Sequence, residues 1–367
     1  MSDYGKPLYV DRLDYCKRCC LPETVEGIKF DEMGFCQACQ SSEHKMHMDW
    51  TEREKALREI LDFHKSRSGT NYDCIVPISG GKDSAFQLHV IVKVYGMKPL
   101  AVTHNQGHGW QSEIGKFNLE NILAKLNVDH IMFTPSSDLV RRISRRSLDM
   151  IGDACWHCHA GIGAFPLQIA VKFNIPLIIW GESVAETSGR ATHLDPIKFA
   201  RDYLMRESIK VGPDKMGCSE LSERDLSPYN LPSAEELKRV GVTGIYLGNY
   251  IFWDEERQME FLQAEYGWRD GYVEGAYKRY KSVECRMAGI HDYTKFLKRG
   301  FGRGTDQASL DVRNGLLTQE EGFELSKKVD AEKPGMLKEY LKIVDLEEKE
   351  LEHIIKSQRT GKAKLLP

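Results

Sequence analysis

The chain has 367 residues, with 51 Lys and Arg against 54 Asp and Glu, giving a formal net charge of −3. At about 150 residues per domain this length predicts two to three domains, and 41% hydrophobic residues suffice for a sizeable core but not for a membrane protein. The near-neutral balance argues against a chain built mainly to hold a phosphate backbone. No apolar run approaches the length of a membrane span, and Met1 to Lys6 holds no secretory apolar core. The expectation is a cytoplasmic protein with no stable nucleic-acid partner and no membrane contact.

In chain order, residues 1–50 read as a small module rich in Cys and turn residues. A charged helix is predicted from Trp50 to His64, with Leu57, Ile60, Leu61 and His64 at helical spacing. The apolar run 74–78 reads as a strand entering a Gly-rich turn, and Ala85 to Tyr95 as a helix stopped by Gly96. Strands are predicted at 100–103, 130–133 and 176–180, and helices at 117–126, 139–151 and 164–173, the second of these basic on one face. Strands alternating with helices of this length predict an α/β fold, a parallel sheet with helices on both faces. Its ligands are expected beyond the carboxyl ends of the strands. From Gly189 to Pro232 periodicity fades, which marks a functional loop, a mobile one or an insertion. Beyond Trp253 the chain is mostly helical, with Trp, Tyr and Arg concentrated between Tyr266 and Arg303.

Ser79-Gly80-Gly81-Lys82-Asp83-Ser84 follows a predicted strand and opens a predicted helix. The glycines allow a tight turn that aims N–H groups at an anion. The helix N-terminus adds its dipole, Lys82 a full charge, and Ser79 and Ser84 hydroxyl donors. It is not a Walker A loop, because Val76 stands where that motif needs Gly and Asp83 where it needs Ser or Thr. The hexapeptide resembles the PP-loop of the ATP pyrophosphatase superfamily, whose members split ATP between the α and β phosphates and pass AMP to a substrate oxygen. An ordinary Gly-rich turn is the bland alternative, and the order strand, SGGKDS, helix argues against it. The resemblance implies ATP contacts from Ser79, Gly80, Gly81, Lys82, Asp83 and Ser84, with Lys82, Asp83 and Ser84 catalytic. It extends them to Thr103 and His104 at the end of the second strand and to Gly181 and Glu182 at the end of the fourth. Each of those four is equally readable as an ordinary strand-end residue.

The ten cysteines, in a chain with no signal peptide, point to metal or redox sites and not to disulfides. Cys16, Cys19, Cys36 and Cys39 have the spacing of a four-cysteine zinc ribbon, with Cys20 a competing neighbour. A module this small has little core, so metal would supply much of its stability. Cys155-Trp156-His157-Cys158-His159 offers a second CxxC. It cannot complete a metal site alone, and a third ligand would come from Cys285, Cys218, His157 or His159. PP-loop enzymes that thiolate transfer RNA carry a CxxC at a similar place and hold an iron–sulfur cluster on it with a third Cys. A second metal or a cluster on Cys155, Cys158 and Cys285 therefore stands against a plain structural thiol pair or a piece of substrate pocket.

The paired N-terminal CxxC knuckles, SGGKDS, Cys155-Trp156-His157-Cys158 and Gly181-Glu182-Ser183 together resemble the N-acetyl sugar amidotransferase family. So does the run from His291-Asp292-Tyr293 through Lys295 and Arg299-Gly300-Phe301-Gly302-Arg303 to Asp306. The resemblance covers nearly the whole chain, and the late run carries most of the discrimination. It implies a zinc-ribbon module over 1–50, a PP-loop ATP pyrophosphatase domain over 51–250 and a helical substrate or partner region over 251–367. It also implies a role in surface-polysaccharide (lipopolysaccharide, O-antigen) or flagellar-sugar synthesis. In that chemistry a sugar acetamido oxygen attacks the α-phosphate of ATP, pyrophosphate leaves, ammonia displaces AMP, and an acetamidino group results. The implied cofactors are ATP, Mg2+ with Asp83 as a candidate ligand, and Zn2+. No glutaminase nucleophile motif is present, so a separate glutaminase, with a cyclase-like subunit, is implied as ammonia source. His291, Asp292, Lys295, Arg299 and Arg303 are the candidate contacts to a nucleotide-sugar. Lys295, Arg299 and Arg303 recur every four residues and would share a helix face unless Gly300 and Gly302 break it; a solvated basic face is the alternative. The main rival is a transfer-RNA thiolase working through Cys155 and Cys158. A non-enzymatic ATP-binding scaffold is the second, and intact Lys82 and Ser84 argue against it. The sugar, its carrier and the oligomeric state, a homodimer included, are left open.

Overall fold

The computed structural model describes residues 13–181, 193, 201–205 and 209–366. Glu182 and Ser183, and most of 189–208, lie outside the described residues.

A five-stranded sheet organises the chain, in the order β3-β2-β1-β4-β5 with every neighbouring pair parallel. The strands are β1 (Cys74–Pro77), β2 (Pro99–His104), β3 (His130–Phe133), β4 (Leu177–Trp180) and β5 (Thr243–Tyr246). Ile75 pairs with Leu100 on one side and Ile178 on the other, so β1 is central. A strand flanked twice and covered on both faces reads as a continuous apolar run, and Cys74, Ile75 and Val76 are each fully buried. Alternate residues feed two cores. Cys74, Val76, Ala101, Leu177 and Ile179 point to one face; Ile75, Leu100, Val102 and Ile178 point to the other.

The first core is covered by α2 (Trp50–Ser68), α3 (Lys82–His89), α4 (Glu113–Leu126) and the helix Glu255–Tyr266. The second is covered by α6 (Trp156–Phe173) and the helix Ala234–Val240. Local chemistry sets the ends of these helices. Asp49 caps α2 by accepting the Thr51 and Glu52 N–H groups, and Ser112 caps α4 by accepting that of Gly115. α5 (Ser137–Ile151) starts on Ser136 and ends on left-handed Gly152. The first core also takes in Trp253, Leu262, Trp268, Val273, Tyr280 and Val283, so the chain after β5 returns to the sheet. α1 (Gln37–Met46) begins within the cysteine module, directly after Cys36. No helix among the described residues is long and apolar enough to cross a membrane.

The topology fixes where a ligand can sit. The chain winds outward through β2 and β3, then crosses back over the sheet to place β4 on the other side of β1. The carboxyl ends of β1 and β4 therefore diverge at a switch point, which opens a crevice.

Candidate active site and metal centre

The Gly-rich turn lies in that crevice. Gly80 has φ +89, and a Cβ there would stand 2.3 Å from the Gly115 carbonyl oxygen, so only glycine fits. The Trp268 indole donates to the Gly80 carbonyl at 3.1 Å. The Ser79 N–H donates to Ser84 Oγ at 3.2 Å, and Ser84 Oγ donates to the Gly81 carbonyl at 3.1 Å. Gly81 is the N-cap of α3, so the first-turn N–H groups from Lys82 onward open toward the crevice.

Lys82 is 2% exposed. Its ammonium lies 2.5 Å from Asp83 Oδ1 and 3.9 Å from Glu255, below the Tyr280 ring. Burial opposes the charge, but Asp83 and Glu255 outweigh it and hold Lys82 above the ordinary lysine range. Glu255 is itself lowered to about 2: burial works against its charge, and Lys281 and Lys82 more than compensate. The Trp253 indole donates to Asp83 at 3.3 Å, a second aromatic brace on the turn.

A cavity of about 450 Å³ opens from the turn. Its walls include Ser79, Gly81, Lys82, Asp83 and Ser84, then His104, Trp180 and Gly181 at the strand ends. Of the residues the sequence singled out for ATP, Ser79, Gly81, Lys82, Asp83, Ser84, His104 and Gly181 line this cavity, and Gly80 and Thr103 do not. Thr103 is buried, and its hydroxyl donates to the Ile78 carbonyl at 2.6 Å, a strand-end role away from the cavity. His104 packs against Phe133, Phe165 and Tyr229 with neither ring nitrogen hydrogen-bonded. Burial, reinforced by His157, lowers it to about 3, so it is a neutral, apolar wall.

The facing wall is the segment Tyr280 to Ala288, of which sequence reasoning singled out only Cys285. It supplies Lys281, Ser282 and Glu284. The Glu284 carboxylate stands 3.1 Å from where a Cβ on Gly81 would be, and burial raises its pKa. The density of Tyr and Arg in this stretch was the one local signal.

Cys155, Cys158 and Cys285 line this same cavity. Cys155 caps α6, its N–H held by Asp153 Oδ1 at 2.8 Å, and Cys285 bridges to Gln111. Burial raises all three thiols, Cys285 to about 12. They are neutral unless a metal takes the proton's place.

A second cavity of about 600 Å³ adjoins the first, with His159, Ile162 and His291 lining both. Lys210, Lys295, Lys298 and Arg299 give it a basic lining, alongside Val25, Glu26, Asp153 and Asp306. Lys295 meets Asp306 at 2.5 Å and Arg299 meets Glu26 at 2.7 Å. The four-residue spacing of Lys295, Arg299 and Arg303 does not produce a shared face. The helix Ala288–Arg299 ends on Gly300 at φ +79, and Arg303 starts the next helix, Arg303–Arg313. Arg303 enters the first cavity instead, its Nε 2.5 Å from Asp292 Oδ2. Asp292 is buried behind it and orients Arg303 without lining either cavity.

The N-terminal cysteines form a cage of the size that holds a metal ion. Among the described residues, Cys16, Cys19, Cys36 and Cys39 alone form a set whose ligand atoms lie within 4.8 Å of one another. The pairs Cys16–Cys39 and Cys19–Cys36 have Sγ atoms 3.7 Å apart. A tetrahedral ion with bonds of about 2.3 Å to sulfur puts its ligands about 3.8 Å apart, so the cage fits a single zinc-sized ion. Cys20 turns away, its thiol donating to the Gln319 carbonyl at 3.7 Å. Cys155, Cys158 and Cys285 form no set that tight.

Comparison with known proteins bears on the last quarter of the chain. Residues 274–364 match the family model described as "LPS biosynthesis protein WbpG-like, C-terminal domain", in agreement with the sugar amidotransferase resemblance. No curated protein matches the chain. Among solved structures, NMN synthetase from Francisella tularensis is similar at 14% identity and a TM-score of 0.30, over 59% of this chain and 87% of its own. The U34-tRNA thiolase NcsA from Methanococcus maripaludis, with its 4Fe-4S cluster, is similar at 13% identity and a TM-score of 0.32, over 83% and 87%.

Proposed function

We propose that this chain is an ATP-dependent enzyme of sugar biosynthesis that converts an N-acetyl group of a nucleotide-sugar into an acetamidino group. One observation carries the reading. Lys281, Glu284 and Arg303, from the segment that matches the lipopolysaccharide-biosynthesis domain, close the same cavity as the SGGKDS turn. That cavity adjoins a second chamber whose four cations, Lys210, Lys295, Lys298 and Arg299, exceed its three carboxylates by one.

In this reading ATP lies in the first cavity with its phosphates on the turn. The first-turn N–H groups of α3, Ser79 and Ser84 receive charge as it develops on phosphate, and Lys82 adds its positive charge to the same end. Mg2+ would supply Lewis-acid charge neutralisation there, with Asp83 and Glu284 the carboxylates that line the cavity. The acceptor enters from the second cavity and presents its acetamido oxygen past His159 and His291. An amide carbon is a poor electrophile, so the oxygen first attacks the α-phosphorus and pyrophosphate leaves. Ammonia then adds to the activated carbon and loses a proton. The C–O bond breaks with its electron pair on AMP, and the amidine remains. Ammonia comes from a separate glutaminase.

Cys155, Cys158 and Cys285 favour a second reading, because three thiols open to the same cavity as the turn. In a transfer-RNA thiolase they would hold the sulfur-transferring centre. One assay separates the two: pyrophosphate release with ATP, magnesium and ammonium, offered UDP-linked diacetamido sugars or bulk transfer RNA. The amidotransferase requires sugar-dependent release and a product lighter by the difference between oxygen and NH. Lys82→Ala should cut that release by at least about tenfold. Release with RNA alone, or full activity in Lys82→Ala, overturns the assignment.

A further inference from the structure

The four-cysteine module is more than an appendage, because its inter-knuckle segment reaches the second cavity. Val25 and Glu26 lie between the two knuckles and line that cavity with Lys298 and Arg299. Thr24 Oγ1 donates to the Arg299 carbonyl at 2.7 Å, and Arg299 donates to Glu26 at 2.7 Å. The segment is thus clamped to the end of the helix that supplies the chamber's basic side chains.

The clamp leads back to the metal cage through short links. Val25 N–H donates to the Pro22 carbonyl at 3.1 Å, and Cys16 N–H to that of Leu21 at 2.9 Å. Behind the cage, the Gln319 side chain donates to the Cys16 and Cys19 carbonyls at 2.9 and 2.8 Å. Arg313 Nη1 lies 3.9 Å from Cys19 Sγ. Four thiolates around a divalent ion carry a net charge of about −2, and a guanidinium at that distance complements them. Apart from the cysteines, the buried apolar residues of the module, among the described residues, are Leu13, Leu21 and Ala38. That core cannot hold the segment in place unaided. The first cavity, by contrast, takes no residue from the module among the described residues.

The geometry points to a metal-built wall. Loading of Cys16, Cys19, Cys36 and Cys39 sets the affinity of the second cavity for its anionic sugar acceptor and leaves ATP binding alone. This rests on the reading that the second cavity takes the acceptor.

The test uses the full, zinc-loaded chain, with UDP-N-acetylglucosamine as acceptor probe and a non-hydrolysable ATP analogue, both titrated calorimetrically. Zinc extraction should weaken the probe by at least about tenfold, change the ATP analogue less than about twofold, and be reversed by adding zinc. By linkage, saturating probe should slow zinc transfer to a colorimetric chelator several-fold, and the ATP analogue should not. The substitution Thr24→Val keeps the cage and the chamber's charges intact. It should retain one zinc per chain and still bind the probe several-fold more weakly. Unchanged probe affinity in the stripped chain or in this variant overturns the wall. Loss of ATP binding together with zinc overturns the independence of the two cavities. A loaded chain that binds ATP analogue but no probe overturns the reading of the second cavity itself, and the wall with it.

Discussion

Replacing Asp292 with Ala would strand the Arg303 guanidinium inside the first cavity. The Asp292 side chain is 6% exposed and that of Arg303 20%, with Nε to Oδ2 at 2.5 Å. Removing one partner of a buried ion pair costs about 3–5 kcal/mol, because the survivor stays desolvated and unpaired. Arg303 keeps a fifth of its exposure and a bond to Ser282, so the lower half of that range applies, about 3–4 kcal/mol. Asp292→Asn retains an acceptor and should cost about 1–2 kcal/mol. Arg303→Met in the Asp292→Ala background should recover part of the loss, since no charge is then left buried. Urea midpoints of the wild type, Asp292→Ala, Arg303→Met and the double variant, all zinc-loaded, complete a double-mutant cycle. The kinetic companion is pyrophosphate release. Asp292 lines neither cavity, so its loss reaches ATP only through a displaced Arg303 and should raise the KM for ATP. If Asp292→Ala costs under about 0.5 kcal/mol, or costs the same with Met at 303, the pair is not what holds Arg303.

Two further outcomes follow from the same geometry. Gly80→Ala places a methyl 2.3 Å from the Gly115 carbonyl at positive φ. It should cost more than about 2 kcal/mol and abolish binding of an ATP analogue, and wild-type binding would refute the tight turn. His104 and His157 are lowered from 6.5 to about 3 and about 4, chiefly by burial. Below pH 6.5 the unfolded chain takes up protons that these buried rings refuse. Stability should therefore fall as pH drops from 6.5 toward 4, by up to about 3 kcal/mol per ring. His157→Gln should flatten that slope of urea midpoint against pH, and an unchanged slope would remove His157 from the account.

How much of this was legible in the sequence depended on how local each cause is. β1, β2 and β4 stand out because a strand buried on both faces must be apolar throughout, and the partly exposed edge strand β3 by its short run Ile131-Met132-Phe133. β5 does not, since Thr243–Tyr246 contains Gly244 and begins exposed. α6 begins eight residues before its apolar stretch, hidden by Gly161, Gly163 and the interior Pro166. Gly161 is there for packing, because a Cβ would sit 2.2 Å from the His104 ring. The Gly-rich turn and the four-cysteine cage were legible because each is a contiguous or knuckle-spaced motif. The wall from Tyr280 to Ala288 was not, because nothing in its own residues says that it returns to a turn about 200 positions earlier. Spacing misled at Arg303, where Gly300 ends the helix and turns the side chain into a different cavity.

The order in which the chain is made gives the cysteine module a particular history. Its seat, Arg313 and Gln319, lies 294 and 303 positions from Cys19 and Cys16. At 5–20 residues per second, about 15–60 s of synthesis separates the cage from the surface that receives it. Closing a loop that long costs about 5 kcal/mol of chain entropy, and a cage already rigid with metal spends none of the docking energy on ordering itself. A nascent or truncated chain that stops before Arg299 carries the Gly-rich turn but neither the helix end that clamps the module nor Arg313 and Gln319 behind it.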